Sequence, residues 1–300
     1  GRHGFVTVKN GHFAFADGTR VRFFGVNLAK DSVFIDRPQI DVVINRFARA
    51  GINLVRIHHI DDVTGILGSD GDYFNEDKLA ILDYWIARLK ARGIYLCLDL
   101  NDYRTFRGAP ERGLEQLGRG TKPYAVFDQE LIRLQIEYAR KLLVEHINPH
   151  TGLSYARDPA IALLEIYDEN GLFIRRNDWP TLREPYLSRL TALWNDWLRQ
   201  RYGSTEMLYS AWVNYAGQPA LRPDESLETG TVRLPKMALD AGVAATITDP
   251  LRAPVRVSAG ALFAHDLQTT YLQTMMRALR GMGIRIPITA VGAQDILPDL

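Results

Sequence analysis

A change of period limits what this chain can fold into more than any other feature. From residue 21 onward, short apolar runs that read as strands alternate with amphipathic runs of helical spacing. Strands are expected at Val21–Leu28, Asn53–Ile60, Tyr95–Asn101, Ile161–Tyr167 and Arg285–Val291. Helices are expected at Pro38–Ala50, Glu76–Arg92, Asp128–Ile147, Pro185–Tyr202, Thr205–Val213 and Leu262–Arg280. The helix at Glu76–Arg92 shows the local logic. Asn75 stands where a cap is needed, Leu79, Leu82, Trp85, Ile86 and Leu89 form one stripe, and Gly93 stops the run. Ahead of the alternation, Phe5–Lys9 and His12–Phe15 flank Asn10-Gly11, a strong hairpin signal.

Strands joined through helices of this length pair in parallel with right-handed crossovers. No strand–loop–helix junction carries a Gly-rich nucleotide fingerprint, so a barrel fits better than a doubly wound sheet. The expected fold is therefore α/β: a (β/α)8 TIM barrel preceded by an N-terminal β-hairpin. Residues 1–300 read as one catalytic domain without a linker. Five barrel strands are counted before Leu300, so the barrel reads as incomplete at its C-terminus, with strands six to eight not identified. Gln218–Val257, with several Pro and Gly residues and weak periodicity, reads as an excursion over the barrel mouth.

The charge balance narrows the partners. Thirty-six Lys and Arg face 35 Asp and Glu, so there is no electrostatic reason to expect nucleic acid or an anionic membrane. No stretch approaches the roughly 20 apolar residues of a membrane span. The single cysteine, Cys97, lies in an apolar run and reads as a buried thiol. The start, Gly-Arg-His-Gly, reads as a processed or trimmed terminus and favours a secreted or periplasmic location over a cytoplasmic one. Nothing in the sequence sets the oligomeric state.

In a barrel, chemistry collects at the C-terminal ends of the strands. In order these ends offer Asn27; His58, His59, Asp61 and Asp62; Asp99, Asn101 and Asp102; Asp168, Glu169 and Asn170; then Thr289 and Gln294. Alternation along the fourth strand puts Glu165, Tyr167 and Glu169 on one face and Asp168 on the other. A carboxylate in mid-strand at Glu165 is costly unless paired, and Arg56 is the matching cation. A buried Arg56–Glu165 or Arg56–Asp99 pair is expected. The run HHIDD (His58–Asp62) invites a metal reading, since His and Asp ligate zinc or manganese. Adjacent strand residues point to opposite faces, however, so no metal site and no cofactor are expected.

These residues carry a resemblance. LLEIYDEN (Leu163–Asn170) resembles the strand-four motif of the clan A (β/α)8 retaining glycoside hydrolases, an Asn-Glu pair whose Glu is the acid/base. Asp17–Ala29 and Gly51–Asp61 are similar to that clan's opening hairpin-to-strand segment and its second strand, with Arg56 in place of the usual arginine. Leu193–Trp212 is similar to a region of family forty-two β-galactosidases, while the cellulase-like family five is the other candidate relative.

The resemblance implies a retaining hydrolase of a β-linked oligo- or polysaccharide, acting by double displacement with Glu169 as general acid/base. It implies substrate contacts from Asn27, Arg56, His58, His59, Asn101, Asp168 and Asn170. The clan's nucleophile is a Glu ending strand seven, and no residue of this chain matches it. One departure stands out: Asp168 replaces the Asn that donates to the sugar 2-hydroxyl, and an ionised Asp only accepts. The alternative is a carbohydrate-binding barrel that has lost its chemistry. Tyr103, Phe106, Tyr124, Phe173, Trp179, Trp212 and Tyr215 are candidate sugar-stacking platforms near the mouth.

Overall fold

The computed structural model describes residues 3–62, 64–67, 74–104, 106, 124–169, 171–172, 179–180, 182–237 and 248–291. The chain divides into two compact units. The first holds Gly1–Ala125, Gln129–Asn170 and Leu272–Ile296; the second holds Val126–Asp128, Gly171–Tyr271 and Leu297–Leu300.

In the first unit the hairpin forms as β1 (Val6–Lys9) and β2 (His12–Phe15), paired antiparallel around Asn10-Gly11. Five strands then build a parallel sheet: β3 (Gly25–Ala29), β4 (Leu54–His58), β5 (Tyr95–Asp99), β8 (Ile161–Asp168) and β9 (Ile288–Val291). Their order in the sheet is their order in the chain. A doubly wound sheet reverses that order at its switch point; an unreversed order is the singly wound arrangement of a (β/α)8 barrel.

Helices α1 (Arg37–Arg49), α2 (Glu76–Ala91) and α3 (Gln129–Arg140) make the crossovers between the first four strands of the sheet. Gly51 and Gly93, both left-handed at φ near 75° and 71°, turn the chain out of α1 and α2. Val6, Phe15 and Ala162 are buried together, with Phe13, Phe23, Leu54, Tyr95 and Leu163 packed on them. Leu54, Tyr95 and Ala162 lie at the starts of their strands, so the hairpin closes the end opposite the candidate site.

Several boundaries differ from the sequence reading. The first strand begins at Gly25 rather than Val21, because Val21 is tied back to the hairpin by its N–H on Phe13 O at 3.1 Å. After Arg140 the third helix widens into a π-helical turn, Lys141–Glu145, and Ile147–Asn148 (β6) pairs with Leu153–Ser154 (β7).

The second unit contains α4 (Tyr186–Tyr202), α5 (Thr205–Ala211) and the larger part of α6 (Pro254–Gly281). Helix α6 starts eight residues before the expected Leu262. Pro254 and its neighbours look like loop residues, yet proline is well tolerated in the first helical turn, where its missing N–H has no partner to lose. Trp179, Trp194, Trp212 and Phe263 form the aromatic core of this unit.

Candidate active site

Three strands of the parallel sheet end in the same unusual way. Lys30 follows β3, His59 follows β4 and Glu169 follows β8, and each is a non-glycine residue in the left-handed region, at φ 53°, 55° and 53°. Such a conformation costs of order 1 kcal/mol or more and persists where tertiary structure overdetermines it. Strain gathered at one end of parallel strands marks that end as the functional one.

Register explains what meets below these residues. Asn27 lies beside Arg56, and Arg56 beside Cys97, while Asp99 lies beside Glu165. Arg56 is the hub. Its Nε donates to Glu165 Oε2 at 2.6 Å, Nη1 donates to Asn27 Oδ1 at 3.3 Å, and Nη2 stands 3.1 Å from Asp168 Oδ1. Of the two expected pairs, Arg56–Glu165 forms; Asp99 Oδ1 accepts instead from the Asn101 N–H at 3.3 Å.

Asn27 in turn fixes a histidine. Its Oδ1 is on Arg56, so its amide nitrogen faces His58 Nε2, at 2.8 Å. His58 Nε2 is therefore the acceptor, and the proton sits on Nδ1, 3.2 Å from Asp168 Oδ2.

The expectation that His58 and His59 point apart is overturned. Strand β4 ends at His58, and the left-handed backbone at His59 folds its ring back so that the two ring centroids are 4.2 Å apart. His59 Nε2 contacts Asp102 Oδ2 and lies 3.4 Å from Asp168 Oδ2. The edge of the Tyr103 ring meets it at 4.5 Å, and the Lys30 ammonium lies over the same Tyr103 ring at 4.7 Å.

The expected faces of the fourth strand change as well. Pairing of β8 with β9 shifts register between Glu165 and Asp168, so alternation breaks there. Asp168 thus joins Glu165 on Arg56, while Glu169 turns away as an exposed side chain.

Asp61 organises the loop after β5. Its carboxylate accepts the backbone N–H groups of Asp102, Tyr103 and Arg104 at 2.7, 2.9 and 3.2 Å. That cradle holds the Asp102 side chain against His59. Burial pushes the Asp61 carboxyl up to about 6, and burial raises Asp99 well above the carboxylate range. Asp168 goes the other way. Burial raises it, but hydrogen bonding to His58 and His59 and the charge of Arg56 outweigh that and hold it well below the ordinary value. Asp168 is thus an ionised acceptor at the base of the site. Cys97 is a buried thiol pushed up to about 12.

The structure brings together Asn27, Arg56, His58, His59 and Asp168, with Glu169 at the rim. Asn101 serves the scaffold: its side-chain Nδ2 donates to Ile166 O at 2.9 Å and its backbone carbonyl accepts the Asp168 N–H at 3.2 Å, fastening the end of β5 to β8. Asn170, Phe173 and Gln294 lie outside the described residues. Of the aromatic candidates, Phe106, Tyr124, Trp179 and Trp212 are buried packing residues, Tyr215 is exposed, and Tyr103 borders the site. Asp61, Asp102 and Lys30 were not among the expected contact residues. Strand-end position flagged the two aspartates, but only the loop cradle and the left-handed His59 show where they act.

No family model matches the chain. A protein assigned as mannan endo-1,4-β-mannosidase 9 of Oryza sativa subsp. japonica is 30% identical over 181 residues, 54% of this chain and 43% of that protein. Mannan endo-1,4-β-mannosidase 4 of the same plant is 27% identical over 177 residues, 55% and 38% of the two chains. Each match thus spans less than half the length of the curated relative. A glycoside hydrolase family 5 mannosidase from Rhizomucor miehei aligns over 97% of this chain and 86% of its own, at 13% identity and a TM-score of 0.45. None of these is a β-galactosidase, and the family forty-two alternative gains nothing from them. By sequence, about half of this chain is similar to part of plant mannan endo-1,4-β-mannosidases.

Proposed function

We propose that this chain is one glycosidase catalytic domain. It would hydrolyse a β-linked polysaccharide, of the β-1,4-mannan class, with retention, and Glu169 would be the general acid/base. The substrate class rests on the names of the two plant relatives. The reaction rests on one observation: Glu169 stands exposed and left-handed directly after the fourth strand of the parallel sheet, next to an Asp168 held by Arg56 and His58.

The chemistry follows from position. As general acid, Glu169 would give its proton to the departing glycosidic oxygen; as base, it would then take a proton from the incoming water. Asp168, ionised and already accepting from protein donors, would receive a hydrogen bond from a sugar hydroxyl rather than give one. Retention needs a second carboxylate as nucleophile, expected on a further barrel strand ending in Glu, about 5–5.5 Å from the Glu169 carboxyl. A separation of roughly 6.5–9.5 Å would indicate inversion.

Glu169→Ala is the direct test on the full-length protein. Turnover of mannan should fall by a factor of roughly 100 or more, the scale of a general acid/base contribution. Glycosylation by an activated aryl β-mannoside, whose leaving group needs little protonation, should largely survive. Azide should restore turnover and yield a β-glycosyl azide. Equal losses on activated and natural substrates without azide rescue would remove Glu169 from the role. Sugar binding without any turnover in the wild type would favour the non-catalytic barrel.

A further inference from the structure

Four ligating atoms converge where β4, β8 and the loop after β5 end. His58 Nδ1, His59 Nε2, Asp102 Oδ2 and Asp168 Oδ2 all lie within 4.8 Å of one another. They form a closed ring in which nitrogen and oxygen alternate. From His58 Nδ1 to Asp168 Oδ2 is 3.2 Å, from there to His59 Nε2 is 3.4 Å, and from Asp102 Oδ2 back to His58 Nδ1 is 3.8 Å. The fourth side, His59 to Asp102, is a direct contact. A ring with sides near these three values has a centre roughly 2.5 Å from its corners, so a contraction of a few tenths of an ångström reaches the ~2.0–2.2 Å of zinc–nitrogen and zinc–carboxylate bonds.

We propose that this ring binds one first-row divalent cation of the zinc, cobalt or manganese class. The donor set selects it. Two imidazoles and two carboxylates suit these ions, whereas calcium takes six to eight oxygens and magnesium an octahedron of them. Two carboxylates also balance the charge of a divalent ion. The surroundings are those of a supported site. Asp168 Oδ1 is steadied by Arg56, the Asp102 backbone is held by Asp61, and the strained backbone of His59 places the second imidazole beside the first.

Binding requires a specific rearrangement of protons. His59 Nδ1 has no hydrogen-bond partner among the described residues and can carry that ring's proton, leaving Nε2 for the ion. His58 has its proton on Nδ1, set by Asn27. The ion moves it to Nε2, and the Asn27 amide turns over to accept it, giving up its bond to Arg56. Each imidazole stays neutral, four coordinate bonds form, and no proton leaves the cluster. This inference does not rest on the glycosidase reading, although an ion on Asp168 would sit beside Glu169 and slow hydrolysis.

The experiment is titration of the full-length protein with cobalt(II), followed by visible absorption and by displacement with zinc. One equivalent should bind, with the bands of a four- or five-coordinate nitrogen and oxygen site. His59→Ala and Asp102→Asn should each weaken binding at least 100-fold with unchanged circular dichroism. Asn27→Asp supplies a fixed acceptor for His58 Nε2–H and should tighten binding by about tenfold, the scale of second-shell effects. A gain cannot come from misfolding. Absence of a one-equivalent cobalt spectrum, binding unchanged in both ligand variants, or no gain in Asn27→Asp would each overturn the proposal.

Discussion

Each unit of the molecule buries an arginine–glutamate pair, and the two pairs are built to opposite plans. In the second unit, Arg256 is fully buried and grips Glu225 with both nitrogens of its fork, Nη1 on Oε2 at 2.9 Å and Nη2 on Oε1 at 2.6 Å. The same nitrogens donate to Ala220 O and Arg233 O, and Glu225 accepts the N–H groups of Arg222 and Arg233. Charge and hydrogen bonding nearly close on themselves. In the first unit, one partly exposed arginine, Arg56, serves Glu165, Asp168 and Asn27, with Asp99 close by. Glu165 Oε1 is left without a hydrogen bond among the described residues. A closed pair specifies a fold. A cluster left open among the described residues, as at Glu165 Oε1, leaves capacity for a ligand.

The contrast can be broken by removing each cation. Arg256→Met leaves Glu225 buried and uncompensated and should cost about 3–5 kcal/mol, read as a lower denaturation midpoint by fluorescence of Trp194 and Trp212.

The contributions of Glu225 and Asp61 to the pH dependence of stability should differ in sign. Burial raises Glu225, but Arg256 outweighs it and holds the carboxyl below its ordinary 4.5. A depressed folded value stabilises above the unfolded value, and that contribution disappears as pH falls through the folded one. Asp61 is raised from 3.8 to about 6, so the folded state holds its proton longer and stability falls as pH rises between these values. The effect should be on the order of 2–3 kcal/mol. Thermal midpoints of Asp61→Asn should lose this falling limb, and those of Glu225→Gln should lose the acid one.

Arg56→Met should cost about 1–2 kcal/mol in stability, because its carboxylates can take up protons or water. On the proposed reading of the site, it should also abolish most mannan hydrolysis. A stability loss equal to that of Arg256→Met would erase the distinction drawn here. The smallest effects should come from the helix caps, one per unit. Asn75 and Ser204 accept from Lys78 N and Met207 N, and alanine at either should cost about 1 kcal/mol in urea unfolding.

These tests probe features that were unequally legible in the sequence. The hairpin, five strands and the helices between them could be read because hydrophobic period, turn residues and caps are local signals. Pairing of Arg56 with Glu165 could be read because a mid-strand carboxylate demands a cation. The start of α6 was obscured by Pro254, whose residue type fits a loop and a first helical turn equally well. The excursion after Gln218 hid Glu225, which needed Arg256 from a distant helix to acquire a role.

The sequence by itself determined that Asp168-Glu169 ends the fourth strand of a parallel sheet, with Arg56 two strands away. Alternation along a strand follows from backbone geometry and needs no partner. Only the tertiary structure decided which of those side chains share a space. The register shift in β8 moves Asp168 onto Arg56, and the left-handed His59 turns a second imidazole toward the first. Either change reverses the direction of a side chain without any change in residue type. Neither conformation is the local preference of these residues; long-range packing and hydrogen bonding must impose both.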